Sequence, residues 1–295
     1  PLPSRQTRGT PWLNRVRTDE SEEIMFAPRA LSRAADEGII AITSVVQEDR
    51  ADELIERIDE QPPITLIGQS ADAQPAVIAA HKRPDRIKNL ILAFPNGVTK
   101  KETKLEYMGY ITKTASDRDK VPGPAMRIDA ENSFGNQPPS SPRELGKLMM
   151  RRFVGSGGLR ALASTISGYQ GGLLHEMRKR DDAPAVSMVL GSRDIGMRPD
   201  RIIESLKSAN DIDFLLIVNS THGIQGRKDL MSSILDLTDI MDARSSEREA
   251  AKARNEVFDP GPLEDRLIFL EGEPYGVSHE EQEKFKALAR GVPES

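Results

Sequence analysis

The stretch Ile64-Thr65-Leu66-Ile67-Gly68-Gln69-Ser70-Ala71-Asp72-Ala73 decides the fold of this chain. Its apolar first half is typical of a short buried strand, and the alanine-rich residues 71–83 form a helical pattern that ends before Pro84. Ser70 therefore lies on a sharp turn between a strand and a helix, and Gly68 leaves room for that turn. The serine hydroxyl faces the helix N-terminus, where free backbone N–H groups stabilise a developing negative charge.

Strand-like and helix-like stretches alternate on both sides of this segment. Apolar, β-branched runs predict strands over residues 38–46, 64–68, 87–94, 185–191 and 212–218. Amphipathic or alanine-rich patterns predict helices over residues 27–37, 49–60, 71–83, 199–208 and 228–241. Because βαβ units close with right-handed crossovers, the sequence predicts an α/β fold in which helices cover both faces of a mostly parallel sheet.

The alternation stops in the middle of the chain. Residues 97–182 are rich in Lys, Pro, Gly and Ser and predict helices but no strand. We therefore divide the chain into an irregular N-terminal segment (1–25), an α/β body (26–97 and 184–242), a helical cap (98–183) and a charged C-terminal extension (243–295).

Composition excludes several classes of protein. Among 295 residues, 41 Lys and Arg oppose 46 Asp and Glu, which gives a formal charge of −5 and argues against binding to nucleic acid. No apolar run reaches the roughly 18 residues of a transmembrane helix, so we expect no membrane insertion. The first residues lack the apolar core of a secretory signal, and we expect a cytoplasmic protein. Because residue 1 is Pro, we also expect the natural chain to begin upstream or to be processed.

Cofactor chemistry finds no support in the sequence. The absence of Cys removes disulfides, thiolate metal sites and Cys nucleophiles, and the four His residues have no metal-ligand spacing. Neither of the glycine-rich phosphate-binding patterns occurs. We therefore expect no metal and no cofactor.

The deciding stretch and its continuation, AVIAAHKRPDRIKNLILAFPNGV, resemble the α/β-hydrolase family. In that family a Gly-x-Ser-x-Gly nucleophile elbow leads into a helix, a Pro-Asp-Arg loop and the next strand, and the acid and the base follow later strands. The resemblance runs from about residue 26 to residue 241. It implies that Ser70 is the nucleophile, that Asp194 in Val-Leu-Gly-Ser-Arg-Asp is the acid, and that His222 in Asn-Ser-Thr-His-Gly is the base. Asp194 follows Ser70 by 124 positions, which leaves room for a cap, and His222 follows Asp194 by 28 positions, which suits one helix and one strand.

The resemblance implies a serine hydrolase that acts on a small-molecule carboxylic ester or related acyl substrate. His222 would take the proton of Ser70, Asp194 would hold the imidazolium, and the N–H of Ala71 would donate to the oxyanion. Candidate substrate-binding residues are Gln69, Tyr107, Met149 and Phe153. The residues of this set that lie in the cap can equally well pack the cap against the body.

Each catalytic assignment has a structural alternative. Ser70 can be a helix N-cap, since Ser is favoured there. Asp194 can cap a turn or pair with Arg193 or Arg198. His222 can be a loop histidine that plays no role in catalysis.

Two departures from the family pattern favour a non-catalytic binding or scaffold protein as the alternative function. Asp72 stands where the elbow has its second glycine, and a carboxylate there opposes a developing oxyanion unless it is paired or points away. In addition, no strand is predicted before Ala27, although the family places a strand with an oxyanion loop beside the nucleophile strand. Residues 267–270 are the remaining candidate to fill that gap, and otherwise we expect the strand to lie upstream of Pro1.

Overall fold

The computed structural model describes residues 24–27, 47–98, 170–194, 197–206, 208–220, 228–256, 258–272 and 275–292. Within these residues one sheet contains the parallel strands β1 (Ile24–Ala27), β2 (Ile64–Gln69), β3 (Ile87–Ala93), β4 (Ala185–Gly191), β5 (Phe214–Val218) and β6 (Leu267–Phe269), adjacent in chain order. The helices are α1 (Gln47–Ile58), α2 (Ala73–Lys82), α3 (Gly171–Arg178), α4 (Pro199–Ser205), α5 (Lys228–Ala253) and α6 (His279–Ala289). The predicted α/β class with a parallel sheet is confirmed.

Helices cover both faces of the sheet. On one face, alternate strand residues such as Leu66 and Met188 share a buried apolar cluster with residues of α1, α2, α3, α4 and α6. On the other face, Ile67 and Val189 belong to a second cluster with Ile234 of α5. Burial on both sides explains why these strands are continuous apolar runs rather than alternating ones.

The strand predicted to be missing beside β2 is present as β1, so that prediction is wrong. β1 runs parallel to β2, and the register pairs Ile24 with Thr65 and Ala27 with Gly68. The predicted irregular segment 1–25 therefore overlaps this strand. β1 has only four residues, which are too few to show the alternating pattern of a strand. Such a short strand is stabilised by pairing with its neighbour rather than by its own sequence. Ala27, where a helix is predicted to begin, is instead the last residue of β1. The rest of that predicted helix (28–37) and the predicted strand 38–46 lie outside the described residues.

The C-terminal extension adds to the body rather than lying outside it. β6 pairs with β5 at the opposite edge from β1, so the hypothesis that residues 267–270 fill the gap beside β2 is also wrong. Phe285 and Ala289 of α6 are buried in the core cluster of the sheet. A half-buried strand and a helix with buried residues on one side therefore extend the body to about residue 289.

The last helix of the predicted cap packs on the body. Leu174 and Met177 of α3 are buried in the cluster that lies against α2. The N–H of Gln170 donates to the carbonyl of Gly97 at 2.7 Å, so the two ends of the intervening segment meet. Residues 99–169 lie outside the described residues, and a cap formed by them stays a prediction.

A buried carboxylate holds three elements together where β4 and β5 begin. Asp213, which is fully buried, accepts hydrogen bonds from Arg178 of α3 at 2.9 Å and from Arg248 of α5 at 2.5 Å. Its other oxygen accepts from the N–H of Val186 in β4 at 2.7 Å. Desolvation by burial lowers the pKa of Arg248 despite the neighbouring carboxylate.

A buried arginine ties the C-terminal region to the same place. Arg266 donates to the carbonyls of Ile212 at 2.5 Å and Ala209 at 2.7 Å, and it is 1% exposed. Burial lowers its pKa to about 10. Because these carbonyls precede β5, the guanidinium fixes the start of β6 beside β5.

Replacing Asp213 with Ala should destabilise the fold. The change leaves Arg178 and Arg248 without their shared carboxylate, and removal of one partner of a buried ion pair costs about 3–5 kcal/mol. The free energy of unfolding in urea measures the loss. The control is Asp182→Ala, which removes the partner of Arg180 in an exposed pair and should change stability by less than about 1 kcal/mol. Equal effects of the two changes would contradict the role of Asp213.

Candidate active site

The turn after β2 holds Ser70 in a strained backbone conformation. Ser70 has φ of +55°, in the left-handed region, and begins the 3₁₀ turn Ser70–Asp72 that leads into α2. A residue with a side chain adopts this conformation at a cost of order 1–3 kcal/mol, and such strain is concentrated at functional sites. Ser70 is also buried, with 2% of its surface exposed.

Gly68 allows the helix to approach the strand closely. A Cβ at position 68 would lie 2.8 Å from the Cβ of Ala76 and 2.9 Å from the Cα of Ala73. Both distances are shorter than real carbon contacts, so any side chain at position 68 would push α2 away from β2. The predicted need for glycine is therefore confirmed.

Asp72, and not Ser70, occupies the N-cap position of α2. Its backbone is helical, with φ of −76° and ψ of −7°. Its side chain makes no capping hydrogen bond to the first N–H groups of α2. The carboxylate is buried, with 1% of the residue exposed, two residues after Ser70. The charged departure from the elbow pattern thus lies inside the protein and does not point into solvent.

Asp194 lies in the turn after β4. It is 3% exposed, and its Oδ1 accepts a hydrogen bond from the N–H of Met197 at 2.9 Å. Its own N–H donates to the carbonyl of Gly191 at 3.0 Å. The turn-capping alternative is therefore correct for this oxygen, while Arg198 pairs with Asp200.

Ser70 and Asp194 lie at the same edge of the sheet. Each follows the carboxyl end of a parallel strand, and β2 and β4 are separated by β3 alone. Two strand spacings amount to about 10 Å. The turns that carry Ser70 and Asp194 therefore lie near one another at this edge of the sheet.

The residues that follow β5 run beside the turn that carries Asp194, which we call the acid turn. The N–H of Ser192 donates to the carbonyl of Val218 at 2.8 Å, and the N–H of Arg193 donates to the carbonyl of Ser220 at 3.0 Å. His222 is two residues further on and lies outside the described residues, as do Tyr107, Met149 and Phe153. Gln69 ends β2 and is half-buried, and the backbone of Ala71 belongs to the 3₁₀ turn.

Sequence reasoning missed the contact between the elbow and the turn after β3. The N–H of Asn96, which is 2% exposed, donates to the carbonyl of Ser70 at 3.1 Å. Phe94 in the same turn has φ of +51° and is fully buried. The pair Asn96-Gly97 after a strand is a turn signal that could have indicated this bend. The turn after β3, which precedes the predicted cap in the chain, thus lies beside Ser70.

A metal-ligand cluster and a membrane-spanning helix are both absent from the described residues. Within them, no three His, Asp or Glu side chains converge as metal ligands would. None of the helices in these same ranges combines the length and the apolar character that crossing a bilayer requires.

Gly68→Ala should weaken the packing of α2 on β2. The added methyl would lie within 3.0 Å of the Cβ of Ala76 and the Cα of Ala73. We therefore expect the free energy of unfolding, measured by chemical denaturation, to fall by about 1–3 kcal/mol. Gly291→Ala is the matched control, since its new Cβ would have a nearest neighbour at 3.4 Å. A Gly68→Ala protein as stable as Gly291→Ala would show that α2 does not depend on this close approach.

Comparison with known proteins finds similar chains among solved structures. No protein-family model matches the chain, and no curated protein matches it. Among solved structures it is similar to a putative lipase from Acinetobacter baumannii AYE (13% identity, 76% of this chain and 86% of that chain, TM-score 0.49). It is also similar to an esterase from Exiguobacterium antarcticum (14%, 75% and 91%, 0.43) and to MGS-M2, an α/β-hydrolase enzyme from a Medee basin deep-sea metagenome library (12%, 73% and 88%, 0.45). The similarity to these three proteins concerns the fold alone.

Proposed function

We propose that the chain is a serine hydrolase that cleaves a carboxylic ester or related acyl compound through an acyl-enzyme. The observation that carries the proposal is the left-handed backbone of Ser70 at the turn between β2 and α2. Glycine would adopt this conformation without strain, yet the chain has a serine there. A serine held at such a cost on a strand-to-helix turn is what a nucleophile elbow requires.

The N-terminal end of α2 favours a developing oxyanion. The aligned peptide groups of a helix give its N-terminus a partial positive charge, and the first N–H groups have no partner within the helix. In the proposed reaction the N–H of Ala71, the residue after the nucleophile, donates to the oxyanion of the tetrahedral intermediate.

β1 supports a second oxyanion donor. Its last residue, Ala27, is in register with Gly68, so the chain leaves β1 level with the elbow. In α/β-hydrolases the second donor is an N–H from the loop after a strand in this position. Pro28 carries no N–H, so the donor would come from a later residue, of which Arg29 is the first.

Asp194 and His222 complete the proposed triad. The buried carboxylate of Asp194 orients the imidazole and stabilises its charged form, and His222 transfers the Ser70 proton to the leaving group. A carboxylate accepts several hydrogen bonds, so the bond from Met197 is compatible with one from an imidazole.

The second candidate is a non-catalytic binding protein with the same fold. The buried carboxylate of Asp72 favours it, because a negative charge two residues from the nucleophile raises the energy of an oxyanion unless the carboxylate is neutral or paired. The two candidates differ in whether the Ser70 hydroxyl reacts.

Hydrolysis of an activated aryl ester separates the two candidates. Ser70→Ala and His222→Ala should each lower kcat by roughly 10⁴-fold or more, and the double variant should be no slower than either, because triad members act as a unit. Asp182→Ala, an exposed change far along the chain, is the control and should keep full activity. Ester cleavage that persists in Ser70→Ala would contradict the proposed nucleophile, and a folded protein without Ser70-dependent cleavage would favour the binding protein.

A further inference from the structure

The C-terminal strand borders the chain that leads to His222. β6 pairs with β5 so that Leu267 is in register with Leu215 and Phe269 with Ile217. The N–H of Leu270 continues the ladder by donating to the carbonyl of Ile217 at 3.3 Å. β6 therefore ends at the same edge of the sheet as Ser70 and Asp194, one strand beyond the expected base.

A tight turn after β6 contacts the residue that follows β5. The N–H of Asn219 donates to the carbonyl of Tyr275 at 2.8 Å. Tyr275 is 6% exposed and belongs to the same buried cluster as Val189 and Val218, at the ends of β4 and β5. The turn closes on itself, because the N–H of Gly276 donates to the carbonyl of Gly272 at 2.5 Å.

We propose that the Tyr275 turn is a positioning element for the catalytic base. Asn219 is bonded to Tyr275, and the next residue, Ser220, accepts from Arg193 in the acid turn. The backbone just before His222 is thereby held between the acid turn on one side and the C-terminal turn on the other. This inference rests on the proposed role of His222 as the base.

The chemistry explains why such a brace matters. A general base has to be held within about 0.5 Å of its productive position by the elements around it. A displacement of about 1 Å can lower the rate by about 10²-fold. Because β5 ends at Val218, the described residues that follow it, Asn219 and Ser220, lie outside the strand and are held by hydrogen bonds from neighbouring turns.

Gly276 offers a way to disturb this turn alone. A Cβ at position 276 would lie 2.5 Å from the carbonyl oxygen and 2.8 Å from the nitrogen of Gly272, so alanine there forces the turn open. The rest of the C-terminal region has its own anchors, since Arg266 bonds to buried carbonyls and Phe285 is 4% exposed in the core. The capping box of Ser278 and Glu281 also starts α6 independently of Gly276.

The test compares Gly276→Ala with Gly291→Ala in the full chain and uses two readouts. The first is the hydrogen-exchange rate of the Asn219 amide, and the second is kcat and KM for an activated aryl ester. For Gly276→Ala we expect exchange to rise by about tenfold or more and kcat to fall by about 10- to 100-fold, with KM changed less than about threefold. Gly291→Ala should change neither the exchange rate of the Asn219 amide nor kcat.

Two results would overturn the positioning role. Unchanged exchange at Asn219 in Gly276→Ala would mean that the turn does not hold this segment. Faster exchange with an unchanged kcat would mean that the contact exists but does not position the base. If the wild-type protein shows no Ser70-dependent cleavage, the proposed function and this role both fail, while the exchange readout still reports whether the contact exists.

Discussion

The close approach of α2 to β2 at Gly68 is the constraint on which the site depends. With no room for a side chain at Gly68, the helix starts almost on top of the strand, and the chain has to reverse within the turn Ser70–Asp72. Ser70 adopts its left-handed backbone in that reversal, directly before the N-terminus of α2. The packing of β1 against one side of β2 and β3 against the other keeps the strained turn in place. The surrounding sheet therefore stabilises the strained backbone of Ser70.

The two edges of the sheet perform different tasks. At the carboxyl edge the turns after β2, β3, β4, β5 and β6 are linked by backbone hydrogen bonds, and these turns carry or neighbour the candidate catalytic residues. At the amino edge, Asp213 and three arginines join α3, α5 and the C-terminal region to the starts of β4 and β5. The candidate catalytic residues and the Asp213 and Arg266 contacts thus lie at opposite ends of the strands. This separation lets the C-terminal region contribute to stability at one edge and to the site at the other.

Much of the central fold could be predicted from the sequence, because β2 to β5 are apolar runs buried on both faces and the helices between them have clear end signals. β1 and β6 could not be placed in this way. Each is three or four residues long, and which strand it pairs with depends on contacts far away in the sequence. For the site, Ser70 and Gly68 were found because the turn that requires them is local. The burial of Asp72 and the contacts of Asn96 and Tyr275 follow from the packing of separate segments, which no local pattern records.

The central claim is that the Ser70 hydroxyl is an activated nucleophile at the end of β2. The measurement that tests it most directly is mass spectrometry of the folded chain after reaction with a fluorophosphonate, followed by mapping of the modified peptide. The account predicts one adduct per chain, carried by Ser70, and no adduct in Ser70→Ala. A folded protein that forms no adduct, or an adduct on another residue that persists in Ser70→Ala, would contradict it.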